Sequence, residues 1–593
     1  MRPQLWAPAA PALLIGLLAA MLAALFTGLP TTLVPTASAA DCGGSAITGT
    51  AFRDYNANGT RDALEPGIAG IVVTATGANG SSVTCTTTAN GTYGIDPAGG
   101  FPVRMEFTLP VDGSLAFLSP GPAGTGSRTT VTFVASPGAG VNVGFVNPVE
   151  YCGAATPDLI AACPAFGEQN DNASGLFRGA AVLYKFPYTA GSSNLGDQGA
   201  VAAPAPAILA TARQIGTTAG LAWNPRTQTL YAAAFMKRHA GFGPSGPGAI
   251  YQWTAAGPSL FYNFGAVAGV DPHPTPSQTC LSPTRNDTNT NLNCWLHDTN
   301  AFDAVGKVGF GQLLLGPDFA TLYAVNLADR TLMAIPLANP AAYTATAIPV
   351  PASCPAADFR PFALGANDGV LYVGAVCTAE STQNRSNLRA YVLAYANGAF
   401  RPTPAFDFTL IYNRGLASRQ WQYWLNRTSF NPTDPLQSTA RWAQPWLTGI
   451  AFDHGDMILT VRDRTGDQFG VATGGPDPLD PTNYNAFSQG DLLRACAVAG
   501  GGWSLESNGT CGAVTTAGTN NGQGPGGGEY YYQDRQAQPL REETSWGSLV
   551  QIPGRTEVAV TAYGPYEAGN ATGDGGVKWY ANATGAAVRL PHL

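Results

Sequence analysis

The chain of 593 residues is rich in turn formers, with 72 Gly and 46 Pro, and only 11% of its residues are charged. This composition is typical of a soluble β protein and leaves little room for helices. The formal net charge of −8 disfavours nucleic acid and anionic lipid as partners, whereas a cation such as calcium is compatible with it.

Residues 1–40 have the layout of a secretory signal peptide. Arg2 precedes an apolar run over 13–26, and small residues follow over 37–40. A membrane anchor is the alternative, but a span of the bilayer needs about 20 apolar residues. We therefore expect cleavage after Ala39 or Ala40. The mature protein is then secreted or held at the cell surface, without membrane insertion.

Residues 54–65 have the spacing of a calcium-binding loop. Side chains that carry oxygen occupy loop positions 1, 3, 5, 9 and 12, glycine occupies position 6, and position 7 offers its carbonyl. Short Asp and Asn side chains can then point at one hard cation, and a longer Glu completes the shell. The alternative is a solvated Asn/Asp/Gly turn. The expected ligands are Asp54, Asn56, Asn58, the Thr60 carbonyl, Asp62 and Glu65.

The segments on either side of this loop are short and β-prone, so the loop should join strands rather than the helices of an EF-hand. Further on, Asn90-Gly91 separates a Thr-rich run from an aromatic one and predicts a β-hairpin. The Phe-x-Asp-x-Asn-x-Asn-Gly loop, the Glu-Pro-Gly-Ile-x-Gly-Ile-x-Val strand and the Asn-Gly-x-Tyr turn together resemble the SdrD B-type (Cna-B-related) domain of bacterial surface proteins. The resemblance covers residues 41–148. It implies a calcium-stabilised β-sandwich that serves as a stalk or spacer, with the loop residues as ligands.

All ten cysteines follow the signal, and an even number in an exported chain predicts disulfides. Zinc is disfavoured because no Cys-x-x-Cys pair occurs. The order of the cysteines suggests local partners, although sequence alone leaves the connectivity open. The expected pairs are Cys42–Cys85, Cys152–Cys163, Cys280–Cys294, Cys354–Cys377 and Cys496–Cys511.

Residues 149–593 are too many for one sandwich and repeat a unit of an apolar strand, a polar turn and a second strand. Five copies begin at residues 221, 313, 362, 450 and 549, each followed by a candidate outer strand, and a strand at 182–184 precedes them. This pattern predicts an all-β chain with a β-propeller of six blades, or seven as the alternative. An array of sandwiches is disfavoured because no segment has enough strands to bury its own core. We expect strands from the two ends of the domain to share one blade, and long loops to be inserted at 271–307, 414–446 and 500–544.

Complete catalytic motifs are missing from the sequence, whose five histidines are scattered. The densest polar run, 462–468, follows a predicted strand. Three further polar groups could gather on the same face: Lys237-Arg238-His239, His297-Asp298 with Asp303, and Arg541-Glu542-Glu543. Opposite charges this close more often form ion pairs that hold loops. The Gly-Asp-Gln fragment of the run resembles one in propeller sugar dehydrogenases that bind a quinone.

Two functional classes stay open. In the first, a calcium-stabilised spacer presents a propeller that binds an extracellular protein or glycan through its inserted loops and the polar face around Asp463, Arg464 and Asp467. The second is a propeller enzyme, either a quinone-dependent sugar oxidoreductase or a glycan-cleaving enzyme. Binding is favoured because the sequence offers no complete nucleophile, acid/base pair or cofactor motif. The Asn and Trp content of 286–295 and 421–424 suits hydrogen bonding and stacking with such a ligand.

Overall fold

The computed structural model describes residues 42–110, 112–123, 127–128, 131–150, 156–167, 179–191, 205–273, 298–415, 420–477, 480–486, 488–534, 543–563 and 575–589. The predicted signal peptide at 1–40 lies outside these residues. Within the described part of the chain, no helix has the length and apolar character needed to cross a bilayer.

The N-terminal part of the chain folds into short strands. They are β1 (Ile47–Arg53), β2 (Val72–Thr76), β3 (Ser82–Thr86), β4 (Thr92–Ile95), β5 (Val103–Thr108), β6 (Ser119–Pro120), β7 (Pro122–Ala123), β8 (Ser127–Arg128), β9 (Val131–Val134) and β10 (Val143–Val146). One sheet has the order β4-β1-β10-β6 and the other the order β3-β2-β5-β9. Every second residue of β2 and of β5 is buried, so each strand turns one face to a shared core. The predicted β-sandwich is confirmed.

The Asn90-Gly91 turn does not close a hairpin, so that prediction is wrong. Strand β3 pairs with β2 and strand β4 pairs with β1, and the chain therefore crosses between the two sheets at this turn. A β-carbon at Gly91 would lie 2.4 Å from the Ala51 carbonyl oxygen, and Gly91 has a φ of +75°. The glycine is needed because the turn packs against β1, and not because two strands pair across it.

The rest of the described chain consists mainly of strands. They are β11 (Asp158–Ala162), β12 (Ala181–Pro187), β13 (Ala207–Thr211), β14 (Thr218–Asn224), β15 (Thr229–Ala234), β16 (Ala249–Thr254), β17 (Gly257–Asn263), β18 (Phe310–Leu315), β19 (Thr321–Asn326), β20 (Thr331–Pro336), β21 (Thr344–Ala347), β22 (Phe359–Asn367), β23 (Val370–Cys377), β24 (Arg389–Ala396), β25 (Ala399–Phe400), β26 (Phe406–Thr409), β27 (Asn413–Arg414), β28 (Pro445–Asp453), β29 (Asp456–Asp463), β30 (Val471–Gly474), β31 (Asn483–Asn485), β32 (Asp491–Ala497), β33 (Trp503–Leu505), β34 (Thr510–Cys511), β35 (Val514–Thr515), β36 (Gln523–Gly524), β37 (Ser545–Gln551), β38 (Glu557–Tyr563), β39 (Gly575–Ala581) and β40 (Ala587–Arg589). Short α-helices cover Ala212–Ile215, Thr299–Ala304 and Thr465–Gln468, and 3-10 turns cover Gly265–Ala268, Pro340–Ala342, Ala356–Asp358, Arg385–Asn387 and Pro525–Gly527.

These strands form a propeller whose described residues make six antiparallel blades. In chain order the blades are β11-β12-β13, β14-β15-β16-β17, β18-β19-β20-β21, β22-β23-β24-β25 with β26 beside β24, β28-β29-β32-β33, and β37-β38-β39-β40. The first strands of blades 2 to 6 contact one another in succession. All five predicted two-strand units are confirmed. The strands predicted to follow them are present as β16, β20, β24, β32 and β39, but each is the third strand of its blade, and a fourth strand lies outside it. Of the remaining pairs, β34 with β35 lies in the inserted loop 500–544, β27 with β36 connects the start of the loop 414–446 to that loop, and β30 with β31 lies between β29 and β32.

The ring closes by side-chain packing between blades 1 and 6, and the predicted sharing of one blade by the two chain ends is wrong. Tyr188, which follows β12, packs edge-on against Trp579 of β39 with ring centroids 5.8 Å apart, and its hydroxyl donates to the Glu557 carbonyl at 3.0 Å. Strand β40 pairs with β39 inside blade 6. Within the described residues, blade 1 is the sheet β11-β12-β13, and no strand from the C-terminal end pairs with it.

Disulfides link Cys42 to Cys85, Cys354 to Cys377 and Cys496 to Cys511, as predicted, which is typical of an oxidising compartment. The predicted Cys152–Cys163 bridge is wrong because Cys163 has a free thiol. The Cys163 amide donates to the Val182 carbonyl at 2.9 Å and so extends the pairing of β11 with β12. Burial raises the pKa of the Cys163 thiol. Cys152, Cys280 and Cys294 lie outside the described residues.

The sandwich packs against one end of the propeller strands. Arg53 forms an ion pair at 2.6 Å with Asp368 in the β22–β23 turn, and His454 in the β28–β29 turn lies 2.9 Å from the Leu64 carbonyl. We call this end of the ring the sandwich face. The opposite end of β29, at Asp463, lies among the inserted loops, and we call that end the loop face. The two faces are therefore separated by the length of the blade strands.

Candidate functional site

The predicted calcium loop connects β1 to β2. Asp54 is buried, and its carboxylate accepts backbone hydrogen bonds from Asn58 at 3.0 Å and from Gly59 at 2.8 Å. Gly59 has a φ of +76°, a conformation that glycine adopts without strain. The sharp turn expected at loop position 6 is therefore present, and it brings the backbone back over the first carboxylate.

The last carboxylate of the loop, Glu65, closes the ring from the other side. It accepts from the Tyr55 amide at 2.8 Å and from the Asp62 amide at 2.9 Å. The side-chain amides of Asn56 and Asn58 both donate to Asp62, at 2.7 and 3.0 Å. The structure thus brings the predicted ligand side chains together in one folded loop.

The electrostatics of this loop suit a bound cation. Burial raises the pKa of Asp54 against the hydrogen bonds that lower it, and the charge of Asp62 raises it further. Burial also raises the pKa of Glu65, with added repulsion from Asp54 and Asp62. All the atoms that would coordinate a metal ion in this loop are oxygens, the ligand atoms that Ca²⁺ prefers. The residues present therefore fit a calcium ion, whose charge would offset this repulsion.

The same loop forms part of the contact between sandwich and propeller. The Tyr55 ring lies edge-on to His454 at 6.1 Å, and the Arg53 guanidinium lies 5.5 Å from the Tyr55 ring centroid. Burial raises the pKa of Tyr55 to about 12. Since Leu64 and Tyr55 are loop residues, the conformation of the loop and the position of the sandwich on the propeller are coupled.

The polar run 462–468 lies on the loop face, where it forms ion pairs. Asp467 is 1% exposed and pairs with Lys237 at 3.0 Å and with Arg462 at 2.5 Å. Burial alone would raise the pKa of Asp467, but the charges of Arg462 and Lys237 outweigh it and lower the pKa to about 2. The Asp467 carboxylate is therefore ionised and fully engaged at neutral pH.

Asp463 occupies a different environment one turn away. Burial raises its pKa to about 6, although its carboxylate accepts from the amides of Gln444 and Thr465, each at 2.9 Å, and of Gln489 at 3.2 Å. These amides belong to three separate segments. Asp463 therefore joins the start of β28, the short helix after β29 and the residues before β32.

Two buried arginines hold the inserted loops by their backbone carbonyls. Arg464 donates to the carbonyls of Val305 and Leu425, each at 2.9 Å, and its guanidinium lies 4.3 Å from the Trp424 ring centroid. Burial lowers the pKa of Arg464 to about 10, so it stays charged at neutral pH.

Arg238 acts in the same way on a neighbouring set of carbonyls. It donates to the backbone oxygens of Asp298 at 2.7 Å, Gln468 at 3.1 Å, Gly474 at 2.9 Å and Gly475 at 2.8 Å. Its guanidinium is completely buried. We refer to Arg238 and Arg464 together as the arginine clamps.

The prediction that Asp463, Arg464 and Asp467 form part of an exposed binding surface is wrong, because all three side chains are buried. The predicted gathering of Lys237 with the polar run is confirmed, but as an ion pair that holds a loop. Trp421 and Trp424 are fully buried and are unavailable for stacking on a ligand.

Other predicted polar groups have different positions. Asp298 caps the helix that begins at Thr299, and Asp303 pairs with Arg427 at 3.0 Å. Glu543 lies beside the buried acids Asp491, Glu529 and Asp534. Residues 286–295, His297, Arg541 and Glu542 lie outside the described residues.

Comparison with known proteins gives three kinds of match: curated relatives, solved structures and a family model. Over 577 residues the chain is 28% identical to Colossin-C of Dictyostelium discoideum, a match that covers 91% of this chain and 51% of that protein. Colossin-A of the same organism is 26% identical over 572 residues, or 91% of this chain and 5% of that protein. The chain thus spans about half the length, or less, of these curated relatives.

Among solved structures, a periplasmic gluconolactonase from Pseudomonas aeruginosa is 10% identical, with a TM-score of 0.31, over 88% of this chain and 95% of that one. A protein from Lactobacillus plantarum is also 10% identical, with a TM-score of 0.30, over 74% of this chain and 96% of that one. Residues 45–117 match the family model of the SdrD B-like domain. The N-terminal sandwich therefore contains an SdrD B-like domain.

Proposed function

We propose that the chain is an exported or cell-surface protein in which a calcium-binding sandwich holds a β-propeller whose loop face binds an extracellular protein or glycan. The observation that carries this proposal is the position of the arginine clamps. They fix the inserted loops on the loop face. Because the sandwich packs against the opposite end of the ring, it leaves the loop face accessible to a ligand. Loops that are ordered before binding lose less conformational entropy when a ligand binds.

The exposed side chains of the loop face include Arg427, which is 48% exposed and also donates to Asn300 at 3.1 Å. Replacing it by alanine should weaken ligand binding while leaving the clamps in place. Arg104 is a matched control, because it is 42% exposed and pairs with a carboxylate on the sandwich. Arg104→Ala should bind as wild type does.

The binding experiment is a screen of the purified protein on glycan arrays and arrays of extracellular proteins, followed by calorimetry on any ligand captured. Equal ligand affinities of the Arg427→Ala and Arg104→Ala variants would mean that the binding site lies outside the loop face. The same protein should be assayed for sugar oxidation with an added quinone and for glycan hydrolysis. Turnover that Asp463→Asn or Asp467→Asn abolishes without loss of folding would favour the enzyme alternative.

The calcium part of the proposal rests on the loop geometry and on the resemblance of residues 41–148. A calcium ion held by the six predicted ligands would neutralise Asp54 and Glu65 and stiffen a loop that contacts the propeller. Calcium titration by calorimetry should show one binding event fewer in an Asp54→Ala, Glu65→Ala double variant. Asp112→Ala, an exposed acid elsewhere on the sandwich, is the control. If the double variant and the control bind equal amounts of calcium, the loop is not a calcium site.

A further inference from the structure

A second group of acidic side chains lies inside the propeller, between blades 5 and 6 and away from the calcium loop. Asp491 begins β32, Glu529 and Asp534 follow β36, and Glu543 comes two residues before β37. All four are buried, and each offers a carboxylate oxygen that lies within 4.8 Å of those of the others. We call these four residues the acidic cluster. Its size is that of one coordination shell.

Among the residues that the structure describes, two cations lie near the acidic cluster. Arg414 lies 3.4 Å from Asp491 and 3.7 Å from Glu543. Its guanidinium also stacks on the Trp421 ring at 3.7 Å and donates to the Gln489 carbonyl. Lys578 is the second, and its ammonium group donates to the Gln533 carbonyl. Both cations therefore also bind backbone carbonyls and are not dedicated to the carboxylates.

The hydrogen bonds of the acidic cluster are incomplete. Asp491 accepts from the Tyr412 hydroxyl, and Asp534 accepts from the Leu492 amide at 3.3 Å, each through one oxygen only. Within the described residues, the second oxygen of each of these acids and both oxygens of Glu529 are buried without a hydrogen-bond partner. A buried carboxylate without a partner is strongly unfavourable unless another charge or a metal compensates it.

Glu506 shows how this fold treats a buried acid that serves only to hold the backbone. It is as buried as the cluster acids, but its two oxygens accept from the amides of Arg494 and Tyr530. Within the described residues, Glu529 accepts no such bond, and Asp491 and Asp534 each accept through one oxygen only. Burial, together with repulsion from neighbouring carboxylates, raises the pKa values of Glu529 and Asp534 well above their ordinary range, and a bound cation would offset both effects.

We propose that the acidic cluster binds one divalent cation of the calcium class. The ligand set is all oxygen, which excludes the softer metals that prefer thiolate or imidazole. A shell of four buried carboxylates suits calcium better than magnesium, which keeps several waters and is held by one or two carboxylates. The ion would tie residues 529–534 and the start of blade 6 to blade 5. This proposal is independent of the calcium loop, which lies on the sandwich face.

The test uses the full protein with the calcium loop disabled by Asp54→Ala and Glu65→Ala. After purification in calcium, metal analysis by mass spectrometry should find one calcium per chain, and calorimetry after chelation should show one binding event. Adding Glu529→Gln and Asp534→Asn, which keep the side-chain shapes, should abolish both. Adding Asp112→Asn instead, at an exposed acid of the sandwich, should leave both unchanged.

Terbium luminescence supplies a second measurement. The Trp421 indole donates at 3.1 Å to the Tyr412 hydroxyl, which itself donates to Asp491. A terbium ion in the cluster should therefore show emission sensitised through tryptophan, and calcium should displace it. Absence of bound metal and of emission in the protein with an intact cluster overturns the proposal, whether or not the cluster variants fold. Stoichiometric magnesium in place of calcium overturns the choice of ion.

Discussion

Replacing Arg464 by methionine should destabilise the propeller, because this arginine is buried and holds two inserted loops. The Leu425 carbonyl keeps a donor in the variant, since the Gln468 side chain also donates to it at 3.0 Å. The Val305 carbonyl loses its side-chain donor, which costs about 1–3 kcal/mol for a buried acceptor. The lost contact of the guanidinium with Trp424 adds about 1–2 kcal/mol. The expected loss of unfolding free energy is therefore about 2–5 kcal/mol.

The matched control is Arg427→Met on the same face. Arg427 is half exposed, and its pair with Asp303 is solvated, so its loss should cost only about 0.2–1 kcal/mol. Chemical denaturation followed by tryptophan fluorescence gives both values, since Trp424 and Trp446 are buried close to the site. Hydrogen exchange should also become faster around Val305 and Leu425 in Arg464→Met, and stay unchanged in the sandwich.

Equal stabilities of the two variants would refute the structural role given to Arg464. A lower unfolding free energy of Arg464→Met without faster hydrogen exchange in the two loops would contradict the role of this arginine in holding the loops. It would mean that the arginine stabilises the blade through packing rather than by holding the loops.

Two further predictions concern the cysteines and the domain contact. Alkylation in denaturant without prior reduction should label Cys163, and peptide mapping should recover Cys354 bound to Cys377; a Cys163 that stays unlabelled in denaturant would contradict the structure. The pKa of His454 is raised, first by its hydrogen bond with Asp453, against the effects of burial and of Arg494. Its contribution to docking is therefore present below its ordinary pKa of 6.5 and is lost as pH rises through the raised value. Small-angle scattering should show a larger radius of gyration at the higher pH in wild type, and no pH dependence in His454→Gln.

The features that could be predicted from the sequence are those encoded in adjacent residues. The calcium loop spans only 54–65, so the spacing of its oxygens along the chain fixes their arrangement in space. The five strand units were recognisable because each joins two strands through a short turn. The Asn90-Gly91 turn shows the limit of this reasoning, since the same dipeptide serves a tight turn whether or not the flanking strands pair.

The arginine clamps could not be found in this way. Val305 lies 159 residues from Arg464, and a backbone carbonyl has no signature in the sequence. The sequence suggests Trp421 and Trp424 for stacking on a ligand, but buried guanidinium groups cover their rings. The acidic cluster was missed because its members are spread over 491–543 without a regular spacing, and only Glu543 belonged to a polar run that the sequence singled out.

The way in which the loops are held bears on the binding role that we propose for the loop face. Both clamps donate to backbone oxygens at most of their contacts, so the stability of the loops depends little on the side chains that the loops present. Between residues 427 and 433 the exposed side chains are polar, apart from a proline, and Arg427 reaches only solvated partners. Surface substitutions of this kind usually change stability by less than about 0.5 kcal/mol. The loop face can therefore change its chemistry while the ring and the clamps keep its shape, which is the property that a binding surface requires and a buried ion-pair network cannot supply.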